Sequence, residues 1–187
     1  VALAREAAAR ADEVLLVLPE ALPHKRFEGV PQPDRLAMME ILAAEENFSV
    51  GCTPGGLFLE IAEACSTSFP TSEIALVCGK DAAERILSWN YSEEDVLERL
   101  FRLAKLWVFA RQGTLAVPSH YADAIECFDF DEQLQTLSAT EVRQRIAAGK
   151  EWRPLVPAQL QEVVERLYAK GLSCANSASS PDRPTGC

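Results

Sequence analysis

The sequence predicts an α/β fold built on a mainly parallel sheet, and three observations carry that prediction. Four short apolar runs, Glu13 to Pro19 (EVLLVLP), Glu73 to Gly79 (EIALVCG), Leu106 to Ala110 (LWVFA) and Ala124 to Phe130 (AIECFDF), have strand length and lack the alternation of a half-solvated strand. Such continuous runs are expected where helices cover both faces of a sheet. Between them lie stretches with apolar residues at helical spacing, and the two element types alternate along the chain, which is the pattern of βαβ units.

The elements follow in order. Residues Val1 to Ala11 are alanine-rich and helix-favouring, but no cap or turn precedes them. A helix feeding the strand at Glu13 to Pro19 is half of a βαβ unit, so a strand and loop before Val1 are expected to be missing. Ala21 to Pro33, with three prolines and a glycine, reads as a loop carrying the basic triplet His24-Lys25-Arg26 at the carboxyl end of a strand, where open α/β sheets bind ligands. A helix is expected over Asp34 to Glu46, a short strand over Phe48 to Cys52, and a helix from Leu57 to Cys65 after Gly55-Gly56. Gly79-Lys80-Asp81 forms a strand-to-helix turn, and its helix reaches Ser88-Trp89. Ser92 caps a helix to about Lys105, Arg111 closes the Leu106 strand, and Val156 to Ala169 is an amphipathic helix.

Composition narrows the function. With 187 residues, 48% of them hydrophobic, the chain can bury one core, placed here in residues 1–170, ahead of a small, polar, proline-bearing tail expected to be disordered over 171–187. Its 18 basic and 28 acidic residues give a net charge of −10, which argues against a general nucleic-acid binder and makes any anion site local. No apolar run approaches the roughly 18 residues of a membrane span, and no signal peptide is visible. The six cysteines form no C-x-x-C pair, and Cys78 and Cys127 fall in apolar runs where a reduced thiol acts as a small hydrophobe. A cytoplasmic protein without membrane or nucleic-acid partners is expected. There is no P-loop and no G-x-G-x-x-G, so the commonest ATPase and dinucleotide-binding readings fall away.

The stretch Leu137 to Gly149 (LSATEVRQRIAAG) has the marks of a phosphate-holding helix start. Ser138 stands at the N-cap position, with Glu141 three residues on as in a capping box and Val142 and Ile146 on the buried face. First-turn N–H groups and the helix dipole favour an anion there. The hydroxyls of Ser138 and Thr140 and the planar guanidinium of Arg143 would add donors.

Four segments then fall into one order: LPHK at Leu22 to Lys25, GKDAAERILSW at Gly79 to Trp89, the strand-end Arg111, and LSATEVR at Leu137 to Arg143. Together they resemble the bacterial nicotinate mononucleotide adenylyltransferases, whose signatures are a P-P-H-K loop, a G-x-D turn with a tryptophan eight residues after its aspartate, and an I-S-S-T-x-x-R helix start. The resemblance covers about residues 1–170 and implies a Rossmann-like, doubly wound nucleotidyltransferase fold. It implies that Gly79, Asp81, Ser138, Thr140 and Arg143 bind ATP, with Asp81 accepting hydrogen bonds from the ribose. His24, Lys25, Trp89 and Arg111 would serve the mononucleotide, Trp89 by stacking on its pyridine ring. The implied reaction is adenylyl transfer to nicotinate mononucleotide, giving deamido-NAD, with Mg²⁺ carried on the ATP phosphates and no dedicated metal ligands in the chain.

Two departures from the pattern matter. The family's first strand and its G-x-F-D-P-x-H-x-G-H loop are absent, so no catalytic residue is assigned in this chain and the chain alone is expected to be inactive or nearly so. Where the family has serine-tyrosine-threonine beside the pyridine carboxylate, this chain has Gly55-Gly56-Leu57-Phe58, and Asn90 replaces an aromatic residue that often follows the tryptophan. The alternatives are a related transferase acting on phosphopantetheine or a cytidylyl substrate, and a non-catalytic nucleotide-binding protein.

Overall fold

Each apolar run becomes a strand, and every strand pair among the described residues is parallel. A computed structural model describes residues 2–21, 30–91, 94–110, 115–129 and 139–175. In chain order the elements are α1 (Ala2–Ala8), β1 (Leu15–Pro19), α2 (Gln32–Glu46), β2 (Ser49–Thr53), α3 (Phe58–Ser68), β3 (Ala75–Gly79), α4 (Lys80–Ser88), α5 (Val96–Leu103), β4 (Lys105–Ala110), β5 (Ile125–Asp129), α6 (Ala139–Ala147) and α7 (Ala158–Ala175). β1 pairs with β2, Leu15 opposite Ser49 and Leu18 opposite Cys52. A second ladder runs β3-β4-β5, with Leu76, Leu106 and Ile125 in one row and Cys78, Val108 and Cys127 in the next. The chain has the α/β architecture with parallel sheets that its sequence predicts.

The chain divides into two compact units, Val1–Arg26 with Ala43–Gln135, and Phe27–Leu42 with Thr136–Cys187. The first holds all five strands. Its core gathers Leu76 and Cys78 of β3, Leu106 and Val108 of β4 and Ile125 of β5 with Leu59 and Ala62 of α3, Ala83 and Ile86 of α4, and Val96 and Leu100 of α5. β4 lies between two strands, and Leu106 and Val108 are accordingly 0% exposed. Burial pushes the Cys78 thiol up to about 12, with a smaller contribution from Cys127. Cys127 itself corrects the sequence reading. It is exposed, on the strand that ends its ladder among the described residues. On the other sheet face the Arg10 guanidinium lies 4.8 Å from the Phe128 ring centroid and 5.6 Å from that of Phe109, a cation–π contact the sequence did not signal.

The second unit is helical among its described residues. Trp152, Leu160 and Val164 are its buried centre, with Met38, Ile41 and Leu42 of α2, Val142 and Ile146 of α6, and Tyr168 of α7 packed against them. Val142 and Ile146 thus lie on the buried face of α6, as their spacing predicts.

Boundaries moved where local chemistry decided them. α2 starts at Gln32, two residues early, since Pro33 fits a first turn that needs no N–H from it. α5 starts at Val96, later than a Ser92 cap would set it: Asp95 takes φ 64°, a left-handed conformation outside any helix, while Ser92 lies outside the described residues. α7 begins at Ala158 after a 3₁₀ turn at Arg153–Leu155 and runs to Ala175, so helix occupies the first positions assigned to the tail; 176–187 lie outside the described residues. Between β4 and β5 a 3₁₀ turn at Ser119–Tyr121 is held to α5 by the Tyr121 hydroxyl, which donates to Glu98 Oε1 at 2.9 Å. His120 is exposed in that turn. Among the described residues no helix is long and apolar enough to cross a membrane.

Candidate functional site

The carboxyl end of β3 turns directly into α4, and this helix with its two caps carries three of the predicted site residues. Gly79 ends β3 and caps α4 with φ −84° and ψ 166°, an extended conformation open to any residue. A Cβ built there would meet nothing closer than the Phe109 carbonyl oxygen at 4.0 Å. Neither backbone angle nor crowding within the described residues therefore calls for glycine at this point. Asp81 stands exposed in the first turn of α4, where its negative charge complements the helix dipole, and its carbonyl accepts from Arg85 Nε at 3.2 Å.

Trp89 is the C-cap residue of the same helix and is 42% exposed. Trp152, by contrast, is 7% exposed. Eight residues of helix separate Asp81 from Trp89, about 12 Å at 1.5 Å per residue. The chain beyond Trp89 folds back: the Tyr91 N–H donates to the Trp89 carbonyl at 3.1 Å, and the Tyr91 hydroxyl donates to the Ile86 carbonyl at 3.0 Å. Nothing in the spacing of the sequence pointed to Tyr91.

The loop from β2 to α3 shows how the Gly55-Gly56-Leu57-Phe58 departure is built. Thr53, a buried polar residue at 5% exposure, donates its hydroxyl to the Gly55 carbonyl at 2.8 Å. The Glu60 carboxylate reaches back to accept the Leu57 N–H at 2.8 Å, satisfying one of the orphan donors at the start of α3. A Cβ at Gly55 would fall 2.1 Å from Glu60 Oε2, so the carboxylate would have to swing aside to admit one.

In the second unit Thr140 and Arg143 both lie exposed on the first turns of α6, and Arg143 Nη2 donates to Thr140 Oγ1 at 3.1 Å. Glu141 accepts from Arg145 Nε at 3.0 Å and Nη2 at 2.7 Å, which ties that guanidinium to its own helix. Arg153 is likewise paired, with Glu165 at 2.8 Å. The structure therefore places Gly79, Asp81 and Trp89 along one helix and Thr140 beside Arg143 on another. His24, Lys25, Arg111 and Ser138 lie outside the described residues. Asp129 is exposed at the end of β5, and no group of three or more His, Cys, Asp or Glu residues suited to a metal ion occurs among the described residues.

Comparisons with known proteins give the geometry a family. Three curated proteins, each named a probable nicotinate-nucleotide adenylyltransferase, are similar to this chain. That of Anaeromyxobacter dehalogenans is 34% identical over 108 residues, covering 57% of this chain and 49% of its own length. Those of Chlorobium luteolum and Syntrophotalea carbinolica are 26% and 25% identical over 87% and 84% of this chain, in each case covering 83% of the relative. The chain thus spans about half the length of the first relative and most of the other two. The profile of the cytidylyltransferase-like family matches residues 1–145, most of the chain, and the chain belongs to that family of nucleotidyltransferases.

Proposed function

We propose that the protein transfers the adenylyl group of ATP to nicotinate mononucleotide, giving deamido-NAD and pyrophosphate. One observation carries the reading: α4 presents an exposed carboxylate, Asp81, at its first turn beside a glycine the packing does not require, and a half-exposed tryptophan, Trp89, at its last. The names of the three relatives support the same reaction.

In this reading the strand-end Gly79 lets the adenosine approach the backbone, and Asp81 accepts hydrogen bonds from the two ribose hydroxyls. Trp89 offers its flat face to the pyridine ring, and Thr140 and Arg143, with Ser138, hold the triphosphate. His24, Lys25 and Arg111 serve the mononucleotide phosphate. A phosphate oxygen of the mononucleotide attacks the α-phosphorus of ATP, the bond from that phosphorus to the bridging oxygen of the β-phosphate breaks, and the electron pair leaves with pyrophosphate. Mg²⁺ enters with ATP as part of the substrate. The work asked of the side chains is positioning two anions and neutralising charge on the leaving group.

The test is pyrophosphate release by the full gene product with nicotinate mononucleotide, nicotinamide mononucleotide and phosphopantetheine as acceptors. Nicotinate mononucleotide is expected to give the highest kcat/KM. Preference for phosphopantetheine would overturn the assignment, and ATP binding without turnover of any acceptor would make the protein a nucleotide-binding module.

A further inference from the structure

We propose that Lys80 is a further nucleotide-binding residue, whose ammonium takes a phosphate of the ATP held at the turn of residues 79–81; the inference rests on the nucleotide placement proposed above. Lys80 is the first residue of α4. The unsatisfied N–H groups at that end carry partial positive charge, so a cation there is opposed and an anion favoured. Other charges at the ends of α4 follow this rule, with Asp81 in the first turn and Arg85 in the last. Lys80 is reversed.

Its pairing offsets little of that cost. Among the described residues the ammonium meets one carboxylate, Glu84 Oε1, at 3.8 Å, too far for a hydrogen bond. The pair also runs in the weaker order, lysine four residues before glutamate. Glu84 is 54% exposed, so water screens much of the attraction that remains. The Lys80 side chain, by contrast, is 27% exposed. A half-covered cation is therefore kept at the carboxyl end of β3, where α4 gains little from it. It follows Gly79, whose missing side chain the packing does not require, and precedes the exposed carboxylate of Asp81. Open α/β sheets take their ligands at this edge. The ligand that would use an ammonium here is an anion, and in a chain of net charge −10 such a ligand needs a local cation. A phosphate suits a compact point charge on a flexible stem, which can leave Glu84 and follow the nucleotide whose ribose Asp81 accepts.

The experiment measures ATP and adenosine affinity by calorimetry, with thermal unfolding of the same samples, for Lys80→Gln, Lys80→Arg and Glu84→Gln in the 187-residue chain. Lys80→Gln is expected to weaken ATP binding about tenfold, the lower end for a hydrogen bond to a charged group, because the ammonium is partly open to water. Adenosine, which lacks the phosphates, should bind this variant as it binds the parent, and the melting temperature should not fall. Lys80→Arg should recover most of the ATP affinity, because the charge returns. Glu84→Gln should bind ATP at least as tightly as the parent, since it removes a competitor for the ammonium. Equal ATP affinity in Lys80→Gln and the parent overturns the inference while leaving the nucleotide reading intact, and so does an equal loss for adenosine and ATP. A shared loss of ATP affinity and stability in Lys80→Gln and Glu84→Gln makes the pair structural and also overturns it. A parent chain that binds neither ATP nor adenosine removes the nucleotide from this turn, and the inference with it.

Discussion

Replacing Gly79 by alanine separates a glycine kept for the protein from one kept for a ligand. In the folded chain Gly79 sits at φ −84° and ψ 166°, which alanine adopts freely, and the added Cβ would approach the Phe109 carbonyl oxygen at 4.0 Å, an ordinary contact. Loss of backbone entropy in the unfolded chain favours the variant by about 0.4–1 kcal/mol. The poorer performance of alanine as an N-cap opposes it by a similar amount, about 0.5–1 kcal/mol. Stability should therefore stay within about 1 kcal/mol of the parent. Nucleotide affinity should not. If the adenosine lies against the backbone here, the methyl group intrudes into a packed contact at about 1–3 kcal/mol, which weakens ATP binding about five- to 150-fold. Calorimetric titration with ATP, paired with thermal or urea unfolding of the same samples, measures both quantities. A Gly79→Ala protein that unfolds normally and binds ATP like the parent would refute the placement of the nucleotide at this turn.

Three further outcomes are expected. Trp89→Ala should weaken nicotinate mononucleotide binding by about 1–3 kcal/mol, by analogy with base–aromatic stacking, whereas Trp152→Ala should cost about 3–5 kcal/mol of stability through its cavity; equal affinity losses in the two variants would show that Trp89 acts only through the fold. Arg143→Ala should weaken ATP binding by roughly 1.5–3 kcal/mol, and Arg143→Lys should recover part of it, since an ammonium keeps the charge without the planar fork; unchanged ATP affinity in Arg143→Ala would make α6 an ordinary surface helix. Under native conditions near neutral pH, iodoacetamide should modify the exposed Cys52 and leave Cys78, buried and pushed up to about 12, unreacted until the chain is unfolded. Peptide mapping by mass spectrometry reads this, and prompt labelling of Cys78 would contradict its burial.

Much of the architecture was legible before any coordinates because hydrophobic runs report burial directly. The LWVFA run became β4, whose Leu106 and Val108 are wholly enclosed, and EIALVCG became β3 running straight into the Gly79 turn. The alternation of strands and helices implies parallel pairing, since a helix between two strands returns the chain to the same end of the sheet. Motif order along the sequence singled out Gly79, Asp81 and Trp89, and these three lie along one helix. His24, Lys25, Arg111 and Ser138, named by the same reasoning, fall outside the described residues.

What only tertiary structure decided depends on neighbours far apart in the chain or on torsions that composition does not encode. Cys127, like Cys78, sits in a strand, yet it is exposed while Cys78 is buried, because burial of a strand residue depends on what covers its row. The sequence places Trp89 at the end of a helix but does not fix its burial; the structure leaves it 42% exposed at the C-cap of α4. The left-handed Asp95 shortened α5 through a single torsion. Gly55 lies against a carboxylate five residues later, a contact its own neighbours do not announce. A sequence read by periodicity and motif reports which residues prefer to leave water and which chemistries are present, but pairing, exposure and the direction of a side chain arise only when distant segments meet.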